Sequence, residues 1–105
     1  MVIIETPIFT RRIQELISDE EYQLLQINLV NRPDVGKIIS GSGGIRKLRW
    51  SAKGHGKSGG IRIIYYWFVS QEVILLLYAY SKSKQDDLTS EQLRQLRKIV
   101  EREYV

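Results

Sequence analysis

Several residue types are absent or scarce in this 105-residue sequence. It has no cysteine, which excludes disulfide bonds, a thiol nucleophile and a cysteine-based zinc site. Its single histidine, His55, excludes most remaining metal geometries and any Ser-His-Asp arrangement without that residue. The apolar runs are too short to span a membrane, and the first residues do not resemble a signal peptide. We therefore expect a cytoplasmic protein that acts without a membrane and without a metal or other cofactor.

Acidic residues are missing from the middle of the chain. None occurs between Asp34 and Glu72, and the seven basic residues of that segment are Lys37, Arg46, Lys47, Arg49, Lys53, Lys57 and Arg62. The rest of the chain, with nine basic and twelve acidic residues, is net negative. Because surfaces usually mix both signs, this segregation indicates a partner that carries phosphate or other negative charge. An ordinary solvated face, with lysines that provide solubility, is the alternative.

The hydrophobic pattern of the first third predicts a strand and two helices. Val2–Glu5 is a strand candidate, and apolar residues at helical spacing follow it. A second helix begins at Ser18, which forms a capping box with Glu21. It ends at Pro33, because proline supplies no N–H group and clashes with a preceding helical turn. The two helices are expected to form a hairpin.

The period then changes from helical to two, which is typical of strands. The runs Ile45–Trp50, Ile61–Val69 and Val73–Tyr80 predict an antiparallel meander. Thr89 and Gln92 form a second capping box, ahead of a C-terminal helix. The order β, α, α, β, β, β, α predicts one α+β domain over residues 1–105. In it, the N-terminal helical hairpin packs on a small twisted, mainly antiparallel sheet, with a C-terminal helix.

Three basic residues of the meander form a candidate phosphate site. Alternation along the first meander strand places Lys47 and Arg49 on one face and the apolar residues Leu48 and Trp50 on the other. Burying both cations would be costly, so their face is open or forms a binding cleft. Arg62 interrupts a strand that is otherwise almost entirely apolar, and a cation retained there normally has a partner or a task. An exposed sheet face covered by long basic side chains is the alternative.

The glycine-rich stretch ahead of Arg62 contains two misleading motifs. Gly54–Gly59 satisfies G-x-G-x-x-G, but a strand follows where a dinucleotide site would need a helix. A triphosphate-binding loop is excluded because Ser51 occupies the position of its first glycine. We expect a hairpin connection over residues 51–60, whose Lys53 and Lys57 can reach phosphate. His55 is a candidate phosphate contact and is poorly positioned there for general base catalysis. A plain hairpin loop is the alternative.

Three segments of the sequence resemble the HigB-like branch of the RelE toxin superfamily, in element order over roughly residues 3 to 102. They are Gly41–Arg49, Lys53–Tyr66 and Tyr80–Lys82, the last with Asp87-Leu88 and a terminal helix. The resemblance implies a RelE-like fold and the toxin of a bacterial type II toxin–antitoxin pair. Many such toxins are endoribonucleases that cut messenger RNA in the ribosomal A site. It also implies a cognate antitoxin, of which a helix-turn-helix protein similar to HigA is one form.

The resemblance further implies roles for individual residues. It assigns catalytic positions to Lys47, Arg49, Arg62 and, just after the last strand, Lys82, with Lys84 as a near alternative. Founding members have another arginine and a tyrosine after that strand, whereas residues 81–103 of this sequence contain no tyrosine and no arginine before Arg94. Tyr80 is the available substitute. The further RNA-binding candidates are Arg46, Lys53, His55, Lys57, Tyr80 and Lys84.

These residues suit RNA cleavage by the 2′-hydroxyl of the RNA itself, which needs no metal. Arg49 and Arg62 would clamp the phosphate and stabilise the charge of the transition state. Lys47 is a candidate for proton transfer, because neighbouring positive charges favour loss of a proton from an ammonium group. Two alternatives stay open: a non-catalytic module that binds RNA or the ribosome, and a ParE-like gyrase inhibitor. The basic triad argues against the second, which has no need of a phosphate clamp.

Overall fold

The computed structural model of the protein describes residues 1–51 and 60–103. In chain order, its elements are β1 (Val2–Glu5), α1 (Pro7–Leu16), α2 (Asp19–Asn31), β2 (Lys37–Ile38), β3 (Arg46–Trp50), β4 (Ile61–Phe68), β5 (Val73–Ser81) and α3 (Ser90–Glu103). These elements confirm the predicted α+β class. The short strand β2 was not predicted. The connection over residues 52–59, with the candidates Lys53, His55 and Lys57, lies outside the described residues.

Helices α2 and α3 begin where the sequence predicts. The Ser18 hydroxyl accepts a hydrogen bond from the Glu21 N–H at 3.2 Å and caps α2, which ends ahead of Pro33. At α3 the capping box is reciprocal, because Thr89 and Gln92 each donate a backbone N–H to the other's side chain, both at 3.0 Å. These caps satisfy backbone donors that the first turn of a helix leaves without an intrahelical partner.

One mixed sheet joins the five described strands in the order β1-β5-β4-β3-β2. Strands β3, β4 and β5 form the predicted antiparallel meander, and β1 pairs with β5 in parallel. The helical hairpin covers one face, where the core includes Phe9, Leu25, Leu29, Ile63 and Tyr65. Helix α3 covers the other, where Leu96 packs with Ile64, Phe68 and Leu77. Because both faces are covered, the central strands are almost wholly buried, as a near-continuous apolar run predicts.

A β-bulge in β5 changes which side chains face α3. Between the pairs that join Ile64 to Tyr78 and Tyr65 to Leu76, Leu77 is an extra residue on β5. An extra residue reverses the alternation beyond it. Ile74 and Leu76 therefore face the helical hairpin, whereas Tyr78 and Tyr80 lie on the α3 side with Leu77.

Thr6 holds this bulge in place. Its hydroxyl donates to the Leu77 carbonyl at 2.8 Å, and the same oxygen accepts the N–H of Phe9 at 3.1 Å. The backbone N–H of Thr6 donates to the Leu76 carbonyl at 3.0 Å. One buried threonine thus caps α1 and satisfies the irregular backbone of β5.

Candidate active site

The meander brings three predicted residues into one row across the sheet. Arg49 on β3 pairs directly with Arg62 on β4, and Arg62 pairs with Tyr80 on β5. Residues directly opposite in a ladder share a face, with their Cβ atoms about 5 Å apart. Lys47 precedes Arg49 by two residues and lies on the same face. On the opposite face, Leu48 and Trp50 pack against the helical hairpin, as the alternation predicts.

The row places two like charges opposite each other. Arginines at directly paired positions repel, so the pair of Arg49 and Arg62 does not serve sheet stability. Arg49 is exposed, whereas Arg62 is only 6% exposed and donates to the Ile61 carbonyl at 3.5 Å. Holding a cation in this position costs desolvation energy. Two arginines at directly paired positions are suited to an anion that accepts hydrogen bonds from both guanidinium groups.

Tyr80 lies in the row in a buried position. It is 4% exposed, so its ring does not present a face on which an RNA base could stack. Its hydroxyl donates towards Oδ1 of Asp87 at 3.5 Å. Burial, followed by the nearby Asp87 carboxylate, raises the pKa of Tyr80 to about 12. The phenol therefore keeps its proton at neutral pH and acts as a hydrogen-bond donor.

Asp87 is a site residue that the sequence did not predict. It lies between β5 and α3, and its Oδ1 accepts hydrogen bonds from the Lys47 ammonium at 3.2 Å and from the Leu88 N–H at 2.8 Å. The Leu88 N–H, and then the Lys47 ammonium, hold the pKa of Asp87 below its usual value. The sequence indicated only the positive neighbours of Lys47, whereas in the structure a carboxylate also contacts its ammonium group.

Lys82 directly follows β5 and lies close to the row. Its backbone N–H donates to the carbonyl of Gly60, two residues before Arg62. Its ammonium forms an ion pair with Asp86 and donates to the Asp86 carbonyl at 3.1 Å. The alternative, Lys84, lines a cleft beside α1 that Arg12, Glu15 and Tyr80 line as well.

Arg46 lies away from the other candidates. On β3 it alternates with Lys47 and so belongs to the face of Leu48. Its guanidinium donates to the carbonyls of Gly36 at 2.7 Å and Asp34 at 3.2 Å. Arg46 thus stabilises the turn that leads into β2. It does not lie with Arg49, Arg62 and Tyr80.

The described residues do not gather a set of metal ligands at this site. Within residues 1–51 and 60–103, no group of histidine, aspartate or glutamate side chains is arranged to hold a metal ion. In the same ranges, no helix combines the length and the apolar character needed to cross a membrane. The chemistry available to the described part of the site is that of guanidinium, ammonium, phenol and carboxylate groups.

Gly60 sets the close approach of β3 and β4 next to Arg62. Its φ of +70° is in the left-handed region, and a Cβ built on it would lie 2.4 Å from the Trp50 carbonyl oxygen. We expect Gly60→Ala to lower the free energy of unfolding by about 2 kcal/mol or more, since it adds a backbone clash to the cost of the left-handed conformation. Urea denaturation followed by circular dichroism measures this change.

Gly41→Ala is the matched control for that substitution. Gly41 has a similar φ of +73°, but nothing lies within 4 Å of an added Cβ. It therefore carries the conformational cost without the clash, about 1 kcal/mol. Equal losses of stability for the two variants would contradict the role assigned to Gly60.

An α+β fold with Lys47, Arg49 and Arg62 on one face of its sheet is suited to binding phosphate. The family model described as "RelE toxin of RelE / RelB toxin-antitoxin system" matches residues 1–104. The chain therefore belongs to the RelE toxin family.

A solved structure supports the same fold. The protein is similar to a mutant of Escherichia coli toxin RelE in the free state, in which two arginines are replaced by alanine. The TM-score is 0.63 at 12% sequence identity, and the match covers 96% of this chain and 95% of that chain. At this identity the likeness establishes a shared fold, and the HigB-like branch stays a prediction.

Proposed function

We propose that this protein is a ribosome-dependent endoribonuclease that cleaves messenger RNA. It would be the toxin of a HigB-like toxin–antitoxin pair and would act in the cytoplasm as a single domain. The observation that carries the proposal is the directly opposed pair of Arg49 and Arg62, with Lys47 on the same face. Membership of the RelE family supports it, because toxins of this family are generally endoribonucleases.

The proposed reaction is an internal transfer of the phosphoryl group. The RNA 2′-hydroxyl attacks the adjacent phosphorus and gives up its proton, and the bond to the 5′-oxygen breaks as that oxygen gains a proton. The products are a 2′,3′-cyclic phosphate and a 5′-hydroxyl. Arg49 and Arg62 would hold the non-bridging oxygens, whose charge increases in the transition state.

Three further residues complete the proposed site. Lys47 and Lys82 supply ammonium groups beside the row, one paired with Asp87 and the other with Asp86. Either ammonium can donate a proton or stabilise charge on the leaving oxygen. The Tyr80 hydroxyl is a further donor next to Arg62. With no histidine pair, such a set gains from a ribosome that orients the message for in-line attack.

The proposed partners follow from the family. A cognate antitoxin is implied by family membership, and we propose a helix-turn-helix protein similar to HigA. The substrate would be messenger RNA on the ribosome. Lys53, His55 and Lys57 stay candidates for RNA contact.

Primer extension on a defined message tests this function. The purified protein is added to ribosomes programmed with that message, to the same RNA without ribosomes, and to a gyrase supercoiling assay. We expect new 5′ ends only on the ribosome-bound message. An intact message that is nevertheless bound would identify a non-catalytic module, and inhibition of supercoiling with an intact message would identify a ParE-like activity.

A further inference from the structure

Asp87 places a negative charge inside the proposed phosphate site. Its Oδ1 accepts from the Lys47 ammonium at 3.2 Å and lies 3.5 Å from the Tyr80 hydroxyl. Tyr80 is the residue on β5 that pairs with Arg62 on β4. A carboxylate in this position repels RNA phosphate. It also pairs with the Lys47 ammonium, whose charge would otherwise attract the phosphate. Its presence is therefore unfavourable for RNA affinity, and its contribution must be sought elsewhere.

The position of Asp87 is fixed independently of Lys47 and Tyr80. The Leu88 N–H donates to the same Oδ1 at 2.8 Å, and the Gln85 side-chain amide donates to the Asp87 carbonyl at 2.9 Å. The reciprocal capping box of α3 begins two residues later, at Thr89. The carboxylate is thus oriented by the start of α3, while its two side-chain partners come from β3 and β5.

We propose that Asp87 is a positioning residue of the active site, which holds the Lys47 ammonium and the Tyr80 hydroxyl together beside the Arg49 and Arg62 row. This inference rests on the proposed function. Asp86 differs from it in its partners, since its ion pair is with Lys82, and its side chain is 93% exposed against 65% for Asp87. Through Asp87, α3 is coupled to the two strands that carry the donors.

Asp87→Asn is expected to separate turnover from binding. Asparagine keeps an acceptor oxygen but loses the negative charge, so it holds the Lys47 ammonium and the Tyr80 hydroxyl less firmly. Misplacement of reacting groups by about 1 Å can cost roughly 10- to 100-fold in rate. Removal of a negative charge near the phosphate does not weaken RNA binding. We therefore expect kcat on a ribosome-bound message to fall by about 10- to 100-fold, with KM unchanged or lower.

Glu91→Gln is the matched control. It removes one negative charge from the first turn of α3, where Glu91 pairs with Arg94 on an exposed surface. We expect it to leave kcat and KM unchanged. An unchanged kcat with a lower KM in Asp87→Asn would show that Asp87 only competes with RNA and would overturn the proposal. A rate loss that matches a loss of folded protein would overturn it as well.

A second measurement needs no RNA. The side-chain carbon-13 signal of Tyr80, assigned by its loss in Tyr80→Phe, reports the hydrogen bond of the phenol. We expect Asp87→Asn to shift this signal and Glu91→Gln to leave it in place. If the wild-type protein leaves messages intact but Asp87→Asn shifts the Tyr80 signal, the proposed function is wrong and the contact between Asp87 and Tyr80 is confirmed. If the wild-type protein cleaves the message but Asp87→Asn does not shift the Tyr80 signal, the inference about Asp87 is wrong and the proposed function is unaffected.

Discussion

Arg62→Ala is expected to lower the rate of cleavage of a ribosome-bound message by about 10²- to 10³-fold, the usual loss when one preorganised donor to a transition-state charge is removed. Arg62 is central in the cross-strand row, between Arg49 and Tyr80. It is also buried, so its charge acts with less screening by solvent than a surface arginine would. Single-turnover kinetics on a programmed ribosome measure the change.

Three matched variants define what the loss means. Arg62→Met keeps much of the buried stem without charge and is expected to be as slow as Arg62→Ala. Arg62→Lys keeps the charge without the planar fork and should retain part of the rate. Arg11→Ala removes an exposed cation from α1 and should leave the rate unchanged. If a folded Arg62→Met protein cleaved the message at the wild-type rate, the guanidinium group would have no catalytic role.

Phe9→Ala is expected to lower the free energy of unfolding by about 3–5 kcal/mol, the usual cost of removing a buried phenylalanine ring. Phe9 is fully buried on α1, in the core between the helical hairpin and the sheet. Its ring centroid lies 6.1 Å from that of Tyr22 on α2, so the substitution leaves a cavity where the two helices meet. Since small domains are stable by about 5–15 kcal/mol, this loss is a large part of the total. Urea denaturation measures it.

Two other substitutions show whether that loss comes from the core. Phe9→Leu keeps most of the apolar volume and should cost about 1–2 kcal/mol. Leu24→Ala changes a side chain on α2 that is 55% exposed and should cost about 0.5 kcal/mol or less. A loss for Phe9→Ala no greater than for Leu24→Ala would contradict the assignment of this core.

Local chemistry made much of the fold predictable. Ser18 and Thr89 cap the helices that their neighbours predict, and Pro33 follows the end of α2. Period-two patterns located the three strands of the meander within one residue. The pairing of β1 with β5 depends on contacts between distant segments, for which the local pattern holds no signal. Strand β2 has only two residues, which is too short to show a period.

The site was predictable where it depends on strand alternation alone. Lys47 and Arg49 share a face because β3 is regular. The placement of Tyr80 beside Arg62 depends on the bulge at Leu77, since uninterrupted alternation from Ile74 would turn Tyr80 towards the helical hairpin. No residue type in β5 predicts that bulge.

Residues outside regular alternation were the hardest to place. Asp87 reaches the row from the segment between β5 and α3. The resemblance to the RelE superfamily includes Asp87-Leu88 but gives Asp87 no role. Arg46 belongs to the same basic segment as Lys47, yet the alternation of β3 places it on the other face. The distribution of charge along the sequence indicated which segment carries the site. The alternation of the strands determined which basic residues of that segment share a face.

The central claim is that Arg49 and Arg62 promote attack by the RNA's own 2′-hydroxyl, and one modified substrate tests it directly. The wild-type protein is given two ribosome-bound messages that differ only in a single 2′-deoxynucleotide at the mapped cleavage position. We predict cleavage of the unmodified message, with 5′-hydroxyl and 2′,3′-cyclic phosphate ends, and no cleavage of the deoxy-substituted one. Equal cleavage of both messages at that position would contradict the account.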